Sequence, residues 1–339
     1  MDSLTQLTLG AAVGEAVIGR KVGNKAILWG AVAGTLPDLD VFVPLGDVVK
    51  DFIYHRSASH SLFVLALVSP LLVWLIIKLH PATASLRNRW TLAIYLVFAT
   101  HVLLDSFTAY GTQILWPFVT TPVSWSTIFI IDPTYTLPLL IGVIAALVSS
   151  RESDRGHRIN RYALMFSTVY LAWTVGAKMV VERNVEEALM AQEISYNGVF
   201  TTPTPFNSLL WRTVVRNDSV YYEGYYSVFD DDNAILFRKY ASEDLLLASL
   251  EENESAQRLT WFSKGFYSVR KEDDDLIISD LRMGAEPNYV FRFVVAEFDD
   301  TGLSSVEPQQ LEPVRDWELL SKIWDRIWDQ SVELAVAKD

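Results

Sequence analysis

Six side chains that bind metals well lie in or beside apolar stretches of this chain: Asp38, Asp40, His55, His60, His101 and Asp105. An ionisable group in a bilayer is expensive and by default marks a functional site. Their spacing sharpens the reading. His101 and Asp105 are four apart within the apolar run from Thr91 to Tyr110, so on a helix they share a face. Asp38 and Asp40 follow Pro37 two apart, and in an extended segment both carboxylates would point the same way. His55 and His60 flank Arg56 just before the next apolar run. Mixed imidazole and carboxylate ligands suit zinc, manganese or iron better than magnesium or calcium.

Six candidates exceed the three or four ligands of a lone catalytic zinc. The expectation is therefore a divalent metal, zinc or manganese, as one ion or as two about 3.5–4 Å apart. Such a metal lowers the pKa of a bound water towards about 7. Asp38 or Asp40 would bridge the ions or serve as general base, and Arg56 would neutralise charge developing on a phosphoryl or carbonyl oxygen. Ser57, Ser59 and Ser61 surround His60, but no Gly-x-Ser-x-Gly elbow is present. Serine catalysis would also leave the extra carboxylates and histidines unexplained.

These residues need elements to hold them, and composition shows where those lie. Residues 1–183 carry 14 Lys+Arg against 11 Asp+Glu; residues 184–339 carry 14 against 30. The first part is apolar and the second reads as an acidic soluble domain, unsuited to nucleic acid, which needs a basic face. With no cysteine there is no disulfide or thiolate ligand. The opening Met1-Asp2-Ser3 lacks a basic n-region, so a cleaved signal peptide is not expected.

A spanning helix needs roughly 20 apolar residues, and four segments qualify: Ser61 to Leu79, Thr91 to Tyr110, Pro133 to Ser150 and Tyr162 to Val181. Two shorter helices precede them, near residues 3–19 and 22–36. Their glycines, Gly10/Gly14 and Gly30/Gly34, have the spacing that lets helices approach closely. The expected fold is an α-helical membrane bundle of four clear spans plus two short N-terminal helices, followed by a small soluble α+β domain.

Loops rich in Lys and Arg (Arg20, Lys21, Lys25; Lys78, Arg87, Arg89; Arg151, Arg155, Arg158, Arg161) alternate with loops poor in them. The positive-inside rule puts the basic loops in the cytoplasm and the six candidate ligands, with the acidic domain, on the outer side. In that domain, Val220 to Phe229, Arg258 to Val269, Asp275 to Arg282 and Pro287 to Phe298 read as strands. Ser242 to Glu254 and Asp316 to Gln330 read as helices. The acidic runs Asp230-Asp231-Asp232 and Asp273-Asp274-Asp275 lack the spacing of a calcium loop and read as solvated turns. Asp132, before Pro133, reads as a helix cap.

Several of these segments carry a resemblance: Met1-Asp2-Ser3-Leu4-Thr5-Gln6, Leu36-Pro37-Asp38-Leu39-Asp40, His55-Arg56-Ser57-Ala58-Ser59-His60-Ser61, His101-Val102-Leu103-Leu104-Asp105, Tyr110-Gly111-Thr112-Gln113 and Asp132-Pro133. Together they resemble the LexA-regulated, inner-membrane-associated family of metal-dependent hydrolases, over roughly residues 1–180. The resemblance implies a multi-pass protein of the bacterial inner membrane and a hydrolase of unstated substrate. Many members resemble Thr-His where this chain has Thr5-Gln6; Gln6 would bind through its oxygen or hold a water.

The expected function is a membrane-bound metal-dependent hydrolase. Its place at the outer boundary favours an amphiphilic or anionic small substrate such as a lipid-linked ester or phosphoester. Two alternatives belong to other classes. A metal or proton transporter would use the intramembrane His and Asp residues as a pathway, although the inner halves of the spans offer no polar stepping stones. A non-catalytic scaffold would use metal only to pin the helices.

Overall fold

The computed structural model describes residues 1–149, 154–230, 235–300, 302–314 and 317–334. Ser150, Arg151, Asp231, Asp232 and Asp316, used above, lie outside the described residues. In chain order the helices are α1 (Ser3–Gly14), α2 (Arg20–Val22), α3 (Lys25–Thr35), α4 (Val48–Tyr54), α5 (Leu62–Leu79), α6 (Arg87–Ser106), α7 (Pro133–Val148) and α8 (Arg155–Ala191). A π-helical turn, Glu15–Gly19, joins α1 to α2. Short 3-10 turns at Pro37–Phe42 and Ala58–His60 precede α4 and α5. The chain divides into two units, Met1–Val43 with His55–Thr174, and Pro44–Tyr54 with Val175–Asp339.

In the first unit α1 and α3 lie against each other through glycine. A Cβ on Gly30 would sit 2.2 Å from the Gly10 carbonyl oxygen, so the backbones touch and no larger residue fits. Helix α6 completes this core: Trp90, Ile94, Val97, Phe98 and Val102 are buried with Leu9, Ala12 and Val13 of α1. The Asp132 side chain accepts from the Thr134 and Tyr135 amides, capping α7.

The expectation of four spans is corrected. Among the described residues two helices are long and apolar enough to cross a membrane, α5 and α8. Helix α7 has 16 residues, about 24 Å at the usual rise, short of a hydrocarbon core of about 30 Å. Helix α6 buries half its residues against its neighbours, and its first turn carries Arg87 and Arg89. Helices α1 and α3, at 12 and 11 residues, are shorter still. By contrast α5 exposes Phe63, Leu67, Leu71 and Trp74, a stripe suited to lipid tails.

The second unit is richer in sheet than the expected small α+β domain. Its strands are β1 (Gly198–Pro203), β2 (Leu210–Asn217), β3 (Val220–Ser227), β4 (Arg238–Ala241), β5 (Tyr267–Glu272), β6 (Asp275–Asp280), β7 (Gly284–Ala285), β8 (Asn288–Tyr289), β9 (Arg292–Asp299) and β10 (Gly302–Gln310). They form two four-stranded antiparallel sheets, ordered β1-β2-β3-β4 and β10-β9-β6-β5, and a β7-β8 ribbon.

Two sequence readings fail here. Arg258 to Val269 is not one strand: Asn253 accepts from the Ala256 amide and starts helix α9 (Glu254–Phe262), which buries Ala256, Leu259 and Phe262. The segment read as helix from Ser242 to Glu254 holds only a 3-10 turn, Asp244–Leu250. The last helix, α10, spans Trp317–Trp328. Asp230 is no solvated turn residue, since its carboxylate takes both Nη atoms of Arg326 at 2.8 Å. The α4 segment belongs to this unit, with the Phe52 ring 4.9 Å from Phe262, 4.5 Å from Phe291 and 5.2 Å from Phe293.

Candidate metal centre

Four of the six expected ligands converge. Asp38 comes from the 3-10 turn before α4, His60 from the turn before α5, and His101 with Asp105 from successive turns of α6. One ligand atom from each lies within 4.8 Å of all the others. His60 Nε2 is 3.3 Å from His101 Nε2, 3.4 Å from Asp38 Oδ1 and 3.2 Å from Asp105 Oδ2. His101 Nε2 is 3.6 Å from Asp38 Oδ1 and 3.4 Å from Asp105 Oδ2.

The arrangement fits a metal ion on two counts. Ligands about 2.0–2.2 Å from a tetrahedral ion stand about 3.3–3.6 Å from one another, close to the 3.2–3.6 Å of the five pairs above. Asp38 Oδ1 and Asp105 Oδ2 are also buried without a hydrogen-bond partner, a costly state unless a cation answers it.

The hydrogen bonds around the imidazoles set their tautomers. His101 Nδ1 is 2.7 Å from the Gly34 carbonyl, which can only accept, so the proton sits on Nδ1 and Nε2 turns its lone pair inward. His60 Nδ1 is 2.9 Å from Ser59 Oγ, and that hydroxyl donates to Asp40 Oδ2. The chain Asp40–Ser59–His60 fixes the second ring in the same sense. With each Nδ1 turned to its own partner, both Nε2 atoms are left to face a shared cation.

Asp40 and His55 stand behind this cluster. Asp40 Oδ1 is 2.8 Å from His55 Nδ1, and Asp40 Oδ2 accepts the Arg56 amide at 3.0 Å. Residues Pro37–Phe42 form a 3-10 helix rather than an extended strand, yet both carboxylates reach His60, Asp38 Oδ1 at Nε2 (3.4 Å) and Asp40 Oδ2 at Nδ1 (3.6 Å). Burial raises the Asp40 carboxyl, but the His55 hydrogen bond and the His55 and His60 imidazoles outweigh it and hold it at about 2. Asp40 is thus a charged buttress and is not among the four converging atoms. The two-ion expectation loses two ligands by this, and the geometry suits one ion.

Arg56 is buried and has a left-handed backbone, φ 66°, pinned by Asp40 on one side and by the Gln113 amide donating to its carbonyl at 3.0 Å on the other. Its guanidinium lies 5.2 Å over the Tyr110 ring, with Nη1 3.4 Å from Asp105 Oδ1. Its Nε and Nη1 make no hydrogen bond. Gln6 Nε2 donates to Asp105 Oδ1 at 3.1 Å and to the His101 carbonyl at 3.2 Å, which positions that ligand, while its Oε1 is buried without a hydrogen-bond partner. The Met1 amine also contacts Asp105 Oδ1.

Sequence reasoning missed a second buried polar group. Glu15, 3% exposed on the π-helical turn, pairs with His157 and takes the Asn160 amide, which also donates to the Ala12 carbonyl at 2.9 Å. His157 lies on α8, and Glu15 lies roughly 13 Å along the helix from Gln6 at about 1.5 Å per residue. The statement that the inner half carries no polar stepping stone is therefore corrected. An acidic residue within an apolar helical run was the available signal.

Among curated proteins, one similar to this chain is an uncharacterized protein, YfhP, of Bacillus subtilis (strain 168). It is 24% identical over 310 residues, covering 87% of this chain and 90% of the relative. No solved structure matches. The family model described as YdjM inner membrane protein matches residues 1–181, the span that holds every residue of the metal centre, and the chain belongs to that inner-membrane family.

Proposed function

We propose that this is a metal-dependent hydrolase of the inner membrane, acting on an anionic ester or phosphoester. The observation that carries the reading is the pairing of a four-atom metal cluster with the buried guanidinium of Arg56, whose Nε and Nη1 make no hydrogen bond. Asp38 and Asp105 balance a divalent ion, and the Arg56 guanidinium keeps donors that an anionic substrate would take. A bound divalent ion supplies an activated water there. Asp105 holds the ion side of the site while its Oδ1 takes Gln6 and Arg56. Arg56 orients the anion with a planar fork of donors. Asp40 keeps His60 and the Arg56 turn in place, a role that suits it better than general base.

One observation favours a second reading. Four protein ligands close a tetrahedron, the habit of structural zinc, whereas catalytic sites keep a position open. Asp38 is the exception in burial, at 19% side-chain exposure against 0–1% for the other three, so it is the ligand able to give way to water. Metal-loaded protein in detergent, screened against phosphomonoesters, phosphodiesters and carboxylic esters, separates the readings. Turnover abolished by chelation supports the hydrolase, and tight metal without turnover supports the scaffold.

We further infer the sidedness of the two candidate spans, α5 and α8. With α5 and α8 as spans, Lys78 at the end of α5 and Arg155, Arg158 and Arg161 at the start of α8 share the cytoplasmic side. The metal centre and the C-terminal unit then face outward.

A further inference from the structure

The metal centre sits at the head of α5, because His60 is two residues ahead of Leu62. Two loops meet there. The first is Pro37–Phe42, which gives Asp38 and Asp40 to the interior and turns Leu39, Val41, Phe42 and Val43 outward, Phe42 being 79% exposed. The second begins at Ile114, whose carbonyl accepts the Leu62 amide at 3.0 Å, and Ser61 Oγ donates to the Trp116 carbonyl at 2.5 Å. It exposes Leu115, Phe118 and Val119, with Phe118 76% exposed and its ring 5.1 Å from that of Phe63 on the outer stripe of α5.

Residues 106–131 contain no Lys, Arg, Asp or Glu. A loop in water would normally carry charge, and uncharged loops bearing Phe and Trp belong at the membrane boundary. The apolar surface is continuous through Phe63 with the helix face suited to lipid tails.

We propose that these two loops form a lip seated in the bilayer interface, and that the metal centre takes its substrate from the lipid leaflet. The substrate class is a membrane lipid with a phosphate ester headgroup, its tails against Val41, Phe42 and Phe118 and its phosphate at Arg56. The substrate assignment rests on the hydrolase reading; the seating of the lip does not.

The test has two arms on the full-length, metal-loaded protein. The chain has no cysteine, so Phe42→Cys and Phe118→Cys each accept one nitroxide label. In phosphatidylcholine–phosphatidylglycerol vesicles, both labels should collide with oxygen in preference to a water-soluble nickel chelate, relative to a label at exposed Asp273→Cys. Labels as open to nickel as the control overturn the proposal, and so do labels shielded from both agents, which would mark a contact with a second copy.

The second arm compares a fluorogenic phosphatidylglycerol analogue in vesicles with soluble bis(p-nitrophenyl) phosphate. The Val41→Ser/Phe42→Ser variant should lose about tenfold or more on the lipid, a modest share of the affinity two buried apolar side chains supply. It should stay within about twofold on the soluble ester. An equal change on both substrates overturns the entry role. If wild-type protein turns over neither while the labels are immersed, the hydrolase reading fails and the substrate assignment falls with it. Turnover with water-exposed labels keeps the hydrolase and rejects the lip.

Discussion

Replacing Arg56 with alanine should leave the metal bound and remove the chemistry. The main-chain bonds that fix this turn, Arg56 amide to Asp40 and Gln113 amide to the Arg56 carbonyl, do not depend on the side chain. Arg56 Nη1 lies 3.4 Å from Asp105 Oδ1. At an effective dielectric of about 20, unit charges at that distance interact by roughly 5 kcal/mol before desolvation is counted. Removing the guanidinium therefore makes Asp105 a stronger ligand, and metal affinity should hold or rise. Loss of one oxyanion donor costs about a hundredfold to a thousandfold in rate, roughly 2.7–4 kcal/mol. Arg56→Lys keeps the charge and loses the fork, so it should fall between. Element analysis paired with turnover per bound ion measures both effects. Metal loss in Arg56→Ala, or turnover within about threefold of wild type, would refute the reasoning.

Other substitutions follow from the same geometry. Asp40→Asn and Ser59→Ala break the chain that orients His60, and each should weaken metal binding about tenfold to a hundredfold in a competition titration. Glu15→Ala strands His157 and Asn160 and should cost about 3 kcal/mol in thermal unfolding with metal content unchanged; no loss of stability would show the pair idle. Phe52→Ala empties a place among three phenylalanine rings, costing the C-terminal unit about 3–5 kcal/mol, visible as faster proteolysis. A phosphatase fused after residue 190 should be active and one after Arg155 inactive, and the reverse would invert the topology.

Much of the centre was legible because ionisable residues stand out in apolar sequence. His101 and Asp105 could be placed on one face from spacing alone, since an i,i+4 pair on a helix has little freedom. Asp38 and Asp40 could not be told apart, because only the packing of the 3-10 turn after Pro37 decides that Asp38 meets the Nε2 atoms and Asp40 the Nδ1 atoms of the histidines. Segment hydropathy overcounted spans because burial by protein and burial by lipid select the same residues, as α6 shows. Gln6 was noticed as a departure, but its role beside Asp105 depends on how α1 docks on α6. Residues 44–54 lie between two candidate ligands in sequence, yet join the C-terminal unit through Phe52, a pairing no local pattern announces.

The central claim is that Asp38, His60, His101 and Asp105 bind one metal ion. Element analysis of the purified protein, wild type beside His60→Ala, His101→Ala and Asp105→Ala, tests it most directly. About one divalent ion per chain is expected in the wild type, with loss of that ion in each variant while the protein still inserts and folds. Unchanged metal content in the three variants, or a wild-type protein that takes up none when metal is supplied, would contradict it.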